Sequence, residues 1–257
     1  MIGAIFHFGL YSIYGYDSVK SARRRKMKNG SEWYLKRLLE DGKYRPISGY
    51  KETQEYHKEY YGEDDYYLVK EEFNSEENIL KIKKNINKWM ELCIECKVNY
   101  VILTSKHHDG FCLWPSENAE HKCNFDIVNY FIKKAKENNL LVGLYYSLME
   151  FRNKPNIDFI ENTIKPQINE LIKYDIDIFW FDGDWEFTTK YAQKTFDDIV
   201  DRLHKNNIKV NDRIGMKKEK NDINFLGKSD FRNYADREIP NEEPNVPWEC
   251  IITIGLS

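Results

Sequence analysis

Short apolar runs alternating with longer helical patterns constrain the fold of this chain more than any other feature. The runs are Ile2–His7, Tyr100–Thr104, Leu141–Tyr146, Ile176–Phe181, Ile208–Asn211 and Ile251–Ile254. Helical spacing separates several of them. Ser75–Lys97 has Ser75 as an N-cap, Glu76 and Glu77 in its first turn, and apolar residues at Ile79, Ile82, Ile86, Trp89, Leu92 and Cys93. Asp126–Asn139, Ile157–Tyr174 and Tyr191–Asn206 read the same way. Strands this apolar, each followed by a helix, imply a parallel sheet covered on its outer side. With five or six such units and no Gly-rich nucleotide turn, an α/β fold of the (β/α) barrel type is expected rather than an open doubly wound sheet. The whole chain reads as one barrel domain, residues 1–257. The stretches Asn29–Glu72 and Met216–Pro247 lack periodicity and read as long excursions between units, a kind of segment that is usually functional.

Polar residues gather where the strands stop. His7, the pair His107-His108, Tyr146 and Asp182 each fall at or just past the C-terminal end of a different strand. In a barrel those ends converge on one mouth, the face that carries chemistry. The densest group is "DIDIFWFDGDWEF", residues 175–187. Alternation there puts Ile176, Ile178 and Trp180 on one face and Asp177, Phe179 and Phe181 on the other. Asp182 sits at the tip, before a glycine that permits a tight turn. A capping or turn role would also suit it. Glu249, in "VPWECIITIG", is a second carboxylate beside a β-like run. Two carboxylates at one mouth, with aromatic and imidazole neighbours, suit glycoside hydrolysis. Arg213, in "VNDRIG", would keep a nearby nucleophile ionised or form a structural ion pair.

Other chemistries fit less well. A net charge of −3 leaves no global footprint for nucleic acid or for an anionic membrane. The short basic cluster Arg23–Lys28 reads as a solvated surface. Five scattered cysteines make no disulfide framework, and Cys93 and Cys96 lie within a helical pattern with no second pair, so they read as buried free thiols. His107-His108-Asp109 invites a metal, but adjacent strand residues point to opposite sides, so no metal is expected. Neutral imidazoles there would instead bond ligand hydroxyls, each offering one donor and one acceptor. No signal peptide and no membrane-length apolar run is read, so a cytoplasmic, membrane-free protein is the expectation.

The chain resembles the α-L-fucosidases of glycoside hydrolase family 29. The matching pieces, in order, are "FHFGLYS", "GSEWY", "YVILTSKHHDGFCLWPS", "VGLYYS", "FWFDGDWE", "VNDR" and "PWEC". The resemblance implies a (β/α)8-like TIM barrel and removal of terminal α-L-fucose from oligosaccharides or glycoconjugates with retention. It further implies Asp182 as nucleophile and Glu249 as acid/base, with Glu32 as the alternative acid/base. His7, Glu32, Trp33, His107, His108, Tyr146, Trp180 and Arg213 would line the fucose pocket, and no cofactor is implied. Phe8 stands where the family has Trp. The family also leads one to expect further barrel strands and a C-terminal β-sandwich after Glu249. An incomplete barrel without the sandwich is therefore expected, acting alone, as a homo-oligomer, or with a complementing chain. The alternative is a fucose-binding relative that does not turn over.

Overall fold

A computed structural model describes residues 1–18, 30–215, 222, 224–234, 236 and 239–252. Five strands form one parallel sheet in chain order: β1 (Gly3–Phe6), β2 (Tyr100–Lys106), β3 (Leu141–Ser147), β4 (Ile178–Asp182) and β5 (Lys209–Val210). A parallel bridge between Asn211 and Phe231 leads on to β6 (Arg232–Asn233), which pairs in parallel with β7 (Trp248–Glu249). Seven parallel strands therefore follow one another without a reversal of order, as in a (β/α) barrel rather than a doubly wound sheet.

The interior confirms the curvature. Ile102, Tyr145, Ile178 and Trp180 form a small cluster joined by Ile5, Tyr100, Phe231 and Ile251, side chains from both ends of the sheet order. The larger core lies between the other sheet face and the helices. It contains Val101, Leu103, Leu144, Phe179 and Phe181 from the strands. The helices that cover it include α1 (Tyr50–Tyr61), α2 (Glu76–Glu95), α3 (Ile127–Glu137), α4 (Lys165–Leu171) and α5 (Lys190–Lys205). Each fully buried Leu, Ile or Phe here contributes about 1.5–3 kcal/mol.

The βα modules are built from repeated local devices. Ser75, Asp126 and Thr189 each cap a helix by accepting a hydrogen bond from the backbone N–H three residues on. At the other end, Lys97, Asn139 and Asn207 take left-handed backbone conformations. The next N–H then reaches five residues back: Val98 to Cys93, Leu140 to Ala135, Ile208 to Leu203. This is the Schellman pattern, with an apolar residue at the position that packs against the helix. Three of the helix-to-strand joins thus end in the same way.

Some expectations from the sequence change. The region 30–72 is largely helical among its described residues, with α1, a short helix Tyr34–Leu38 and 3-10 turns. Its packing is aromatic: Tyr34 and Tyr66 both stack on Tyr14, and Tyr16 stacks on Tyr56. Apolar periodicity is hidden there because tyrosines and His57 do the work of aliphatic core residues. The segment 157–174 is a one-turn helix and a π-helical turn (Ile160–Ile164) leading into α4. Pro166 explains the interruption, since it lacks an N–H and its ring displaces the carbonyl one turn earlier. Among the described residues the last strand is Trp248–Glu249, earlier than the apolar run suggested; residues 251 and 252 are not in a strand, and 253–254 lie outside the described residues. The basic cluster Arg23–Lys28 also lies outside them, as does part of the second excursion. Cys93 is buried, but Cys96, just past the end of α2, is exposed, as are Leu92 and Ile94 within it.

Candidate active site

Strand parity decides what faces the barrel interior at its C-terminal end. Along β4, Ile178, Trp180 and Asp182 face inward, while Phe179 and Phe181 belong to the helix-covered core. Register pairs Tyr145 with Trp180 and Ser147 with Asp182, so those residues of β3 face inward too. Gly183, at φ +85°, then turns the chain sharply away. Asp182 is left at the tip, almost buried.

Three groups converge on its carboxylate. The Tyr145 hydroxyl donates to Oδ2 at 2.8 Å, and Arg213 Nη1 donates to Oδ1 at 3.1 Å. His108 Nε2 lies 3.7 Å from Oδ2, too far for a hydrogen bond. Arg213 also lies over the Trp180 ring, 4.9 Å from its centroid, and donates to Asp236 Oδ1 at 2.7 Å. Burial works against the arginine's charge, yet Asp182 and Asp236 hold its pKa above the ordinary value. A fixed cation on Oδ1 and a phenol on Oδ2 hold the Asp182 carboxylate in one orientation as an acceptor.

The two histidines differ in role. Ser147 Oγ donates to the Met149 carbonyl, so its contact with His108 Nδ1, at 2.6 Å, must be accepted from an imidazole N–H. His108 therefore carries its proton on Nδ1 and presents a lone pair from Nε2 toward the space beside Asp182. Burial pushes its pKa down to about 4, against the pull of Asp182, so the ring is neutral at neutral pH. His107 stacks on Tyr145 (5.5 Å, 15°) and meets Tyr11 and His7 edge-on, both at 5.6 Å. Its buried Nδ1 has no hydrogen-bond partner among the described residues. That leaves a buried polar atom at this end of the barrel able to bond a ligand.

His7 is exposed at the end of β1, edge-on to Tyr145 at 5.2 Å and within electrostatic reach of Glu32, Asp182 and Asp236. Glu32 and Trp33 share one 3-10 turn, and Trp33 meets His108 edge-on at 5.7 Å. Phe151 and Trp185 complete an aromatic collar around His108, at 5.4 and 5.9 Å. Glu249 reaches the interior from the far side of the barrel. The Trp180 indole donates to its Oε2 at 2.9 Å and Asn233 Nδ2 donates to the same oxygen at 2.6 Å. The Tyr100 hydroxyl donates to Oε1. Tyr100 opens β2 whereas Asp182 closes β4, so Glu249 sits below Asp182, with the Trp180 indole between them.

The structure thus brings Asp182, Arg213, His7, His107, His108, Trp33 and Trp180 to one mouth, with Glu32 at its edge and Glu249 beneath. Tyr146 is not among them. Its hydroxyl donates to Gln167 Oε1 and accepts from Lys106 Nζ, on the helix-covered side. Tyr145 and Tyr146 are adjacent on a strand, so only one can face inward, and pairing with Trp180 selects Tyr145. Asp236, Phe151 and Trp185 were not picked out from the sequence either. Trp185 lies in the same dense stretch as Asp182, and its spacing from Asp182 was the available signal. Among the described residues no cluster of three His, Cys, Asp or Glu side chains could hold a metal, and no helix is long and apolar enough to cross a membrane.

The fold is a sequentially ordered parallel (β/α) barrel, with a clamped carboxylate, imidazoles and tryptophans past its strand ends. The chain belongs to the alpha-L-fucosidase family, whose model matches residues 1–257. It is 28% identical over 280 residues to an alpha-L-fucosidase of Dictyostelium discoideum, covering 99% of this chain and 55% of that one. It is 27% identical to human tissue alpha-L-fucosidase over 188 residues, covering 65% of this chain and 39% of that one. A solved structure of Thermotoga maritima alpha-fucosidase in complex with fucose superposes with a TM-score of 0.70 at 25% identity, covering 98% of this chain and 57% of that one. The chain spans roughly two-fifths to just over half the length of these relatives.

Proposed function

We propose that the protein is an exo-acting retaining glycosidase that hydrolyses terminal α-L-fucosides of oligosaccharides or glycoconjugates. The observation that carries this reading is the clamp on Asp182: one oxygen on Arg213, the other on Tyr145, with a neutral His108 facing the same space. Family membership supplies the sugar. In the first step an Asp182 oxygen attacks the anomeric carbon. The glycosidic C–O bond breaks, and Glu249 gives its proton to the departing oxygen. In the second, Glu249 takes a proton from water, whose oxygen attacks the same carbon and frees Asp182. Imidazole lone pairs and the unpartnered His107 nitrogen would hold sugar hydroxyls, while Trp33 and Trp180 offer apolar faces.

One observation favours a second reading for the proton donor. Glu249 accepts three hydrogen bonds inside the barrel, whereas Glu32 stands at the mouth beside Trp33. Azide separates the two readings: it restores turnover of an activated fucoside, as the fucosyl azide, in the alanine variant of whichever residue is the acid/base. For the reaction itself, the protein is incubated with a 2-fluoro fucosyl fluoride and its intact mass and peptides are mapped. One fluorofucosyl group on Asp182 is expected. Saturable fucose binding with no label on any residue would replace hydrolysis by binding alone, and label on another carboxylate would overturn the nucleophile.

A further inference from the structure

A second cleft lies away from Asp182, between α5 and the segment that joins β5 to β6. It has a volume of about 270 Å³ and shares no lining residue with the site described above. That is several times the roughly 30 Å³ that one water takes in the liquid, so the space suits a small molecule. Val200, Ile214, Phe225 and Leu226 supply an apolar wall, and Asp197 and Asp212 supply carboxylates.

Asp212 decides what the cleft can hold. It is only 6% exposed. Its Oδ1 accepts from the Asn233 N–H at 2.8 Å, its one hydrogen bond among the described residues, and no cation pairs with it there. A buried carboxylate with a spare oxygen carries a desolvation cost that a partner in the cleft would offset. The other charged groups of the wall do not supply that partner. Lys228 is engaged by Asp201 at 2.6 Å, and Asp197 accepts from Gln193 Nε2 at 2.9 Å. Two carboxylates therefore face the space with no spare cation among the described residues, and complementarity selects a positive occupant. The apolar wall disfavours a hydrated metal ion, and among the described residues no three ligating side chains gather to hold one. An alkylammonium satisfies both halves of the lining: its N–H groups donate to a carboxylate and its chain lies on hydrocarbon.

We infer that this cleft is a binding site for a small organic cation, with the ammonium group on Asp212 and the hydrocarbon body against Val200, Ile214 and Phe225. The site goes beyond the hydrolytic reading and does not depend on it. It does adjoin the sugar site through the backbone. Arg213, next in sequence, bonds Asp182, and Asn233, whose N–H is held by Asp212, bonds Glu249. One buried carboxylate thus faces a ligand while its neighbours support both acidic groups of the barrel interior.

The test is a binding measurement, independent of turnover. n-Butylammonium chloride is titrated into the protein at fixed ionic strength and read by saturation-transfer NMR. Butan-1-ol and butyrate serve as neutral and anionic probes of the same chain length. Saturable binding of the ammonium is expected, roughly tenfold tighter than either comparison, the scale of one charge-assisted hydrogen bond. Asp212→Asn keeps an acceptor for Asn233 and removes the charge, so it should weaken butylammonium by a similar factor. Leu226→Trp fills the cleft with Asp212 intact and should abolish binding; it carries the test if Asp212→Asn does not fold. Asp182→Asn should bind butylammonium as the wild type does. No saturable binding in the wild type, equal affinity for the alcohol, or binding retained in Leu226→Trp would each overturn the inference. So would binding that is lost in Asp182→Asn and kept in Asp212→Asn.

Discussion

The two arcs of the barrel are built to different standards. From β1 to β4 the strands pair over four to seven residues, and from β2 onward nearly every side chain is buried. From β5 to β7 each strand is two residues long, and side chains carry much of the joining. Asn211 shows how: its amide bonds both backbone groups of Phe181 and also Asn233 Oδ1. The site straddles this boundary. Asp182 and the imidazoles come from the firm arc, while Arg213, Asp236 and Glu249 come from the thin one. The lesson is that Asp182 is placed by backbone, whereas Arg213 and Glu249 are placed by side-chain contacts.

The contrast can be broken at several points. Asp182→Ala, at the boundary, should lower aryl fucoside turnover on the order of 10⁴-fold, read by steady-state kinetics. In the firm arc, Glu150→Ala strands the fully buried Lys106, whose charge burial opposes and Glu150 sustains. It should cost about 3–5 kcal/mol in urea unfolding. In the thin arc, Asn211→Ala leaves the N–H and C=O of Phe181 unsatisfied in a buried place, an expected loss of about 3 kcal/mol. Hydrogen exchange should then quicken in β5–β7 while β2 and β3 stay protected.

Titration sharpens the same picture. The folded His108 resists protonation down to about 4, while the unfolded ring accepts a proton below the ordinary value of 6.5. Its contribution is therefore lost as pH falls from 6.5 toward 4. Asp109 acts oppositely: burial pushes it up to about 6, so its contribution is present at low pH and lost as pH rises through 6. The two offset in the wild type. In His108→Asn the offset is removed, and the variant should gain about 2.5 kcal/mol relative to wild type between pH 7 and 4.5. The smallest effect separates two neighbours. Tyr145→Phe should lower kcat/KM roughly tenfold by releasing Asp182 Oδ2, whereas Tyr146→Phe should leave kinetics unchanged and cost about 1 kcal/mol of stability.

What could be read from the sequence follows the same divide. The strands and helices of the firm arc announce themselves because aliphatic runs and capping residues are local signals, as at Ser75 and Val101–Leu103. Asp182 was legible because a strand, a carboxylate and a glycine coincide. The sequence points to Tyr146 while the structure turns Tyr145 inward, because a register is a relation between two strands and one strand does not contain it. Glu249 was legible as a residue but not as a position, since its place depends on Tyr100, 149 residues away in the chain. The Tyr-rich packing of region 30–72 carries no such local signal, because an aromatic core does not follow aliphatic periodicity.

The hydrogen bond from Tyr100 to Glu249 has a consequence beyond chemistry. Gly3 leaves room for it, because the Tyr100 ring occupies the space that a side chain there would need. The bond is a diagonal brace that crosses the barrel from the second strand to the seventh. Truncating Glu249 would remove an acid/base candidate and the brace together. It would free the Tyr100 hydroxyl, the Trp180 indole and the Asn233 amide at once. Lost turnover in Glu249→Ala is therefore ambiguous, and Glu249→Gln, which keeps an oxygen for the donors, is the variant that tells a missing proton from a slackened frame.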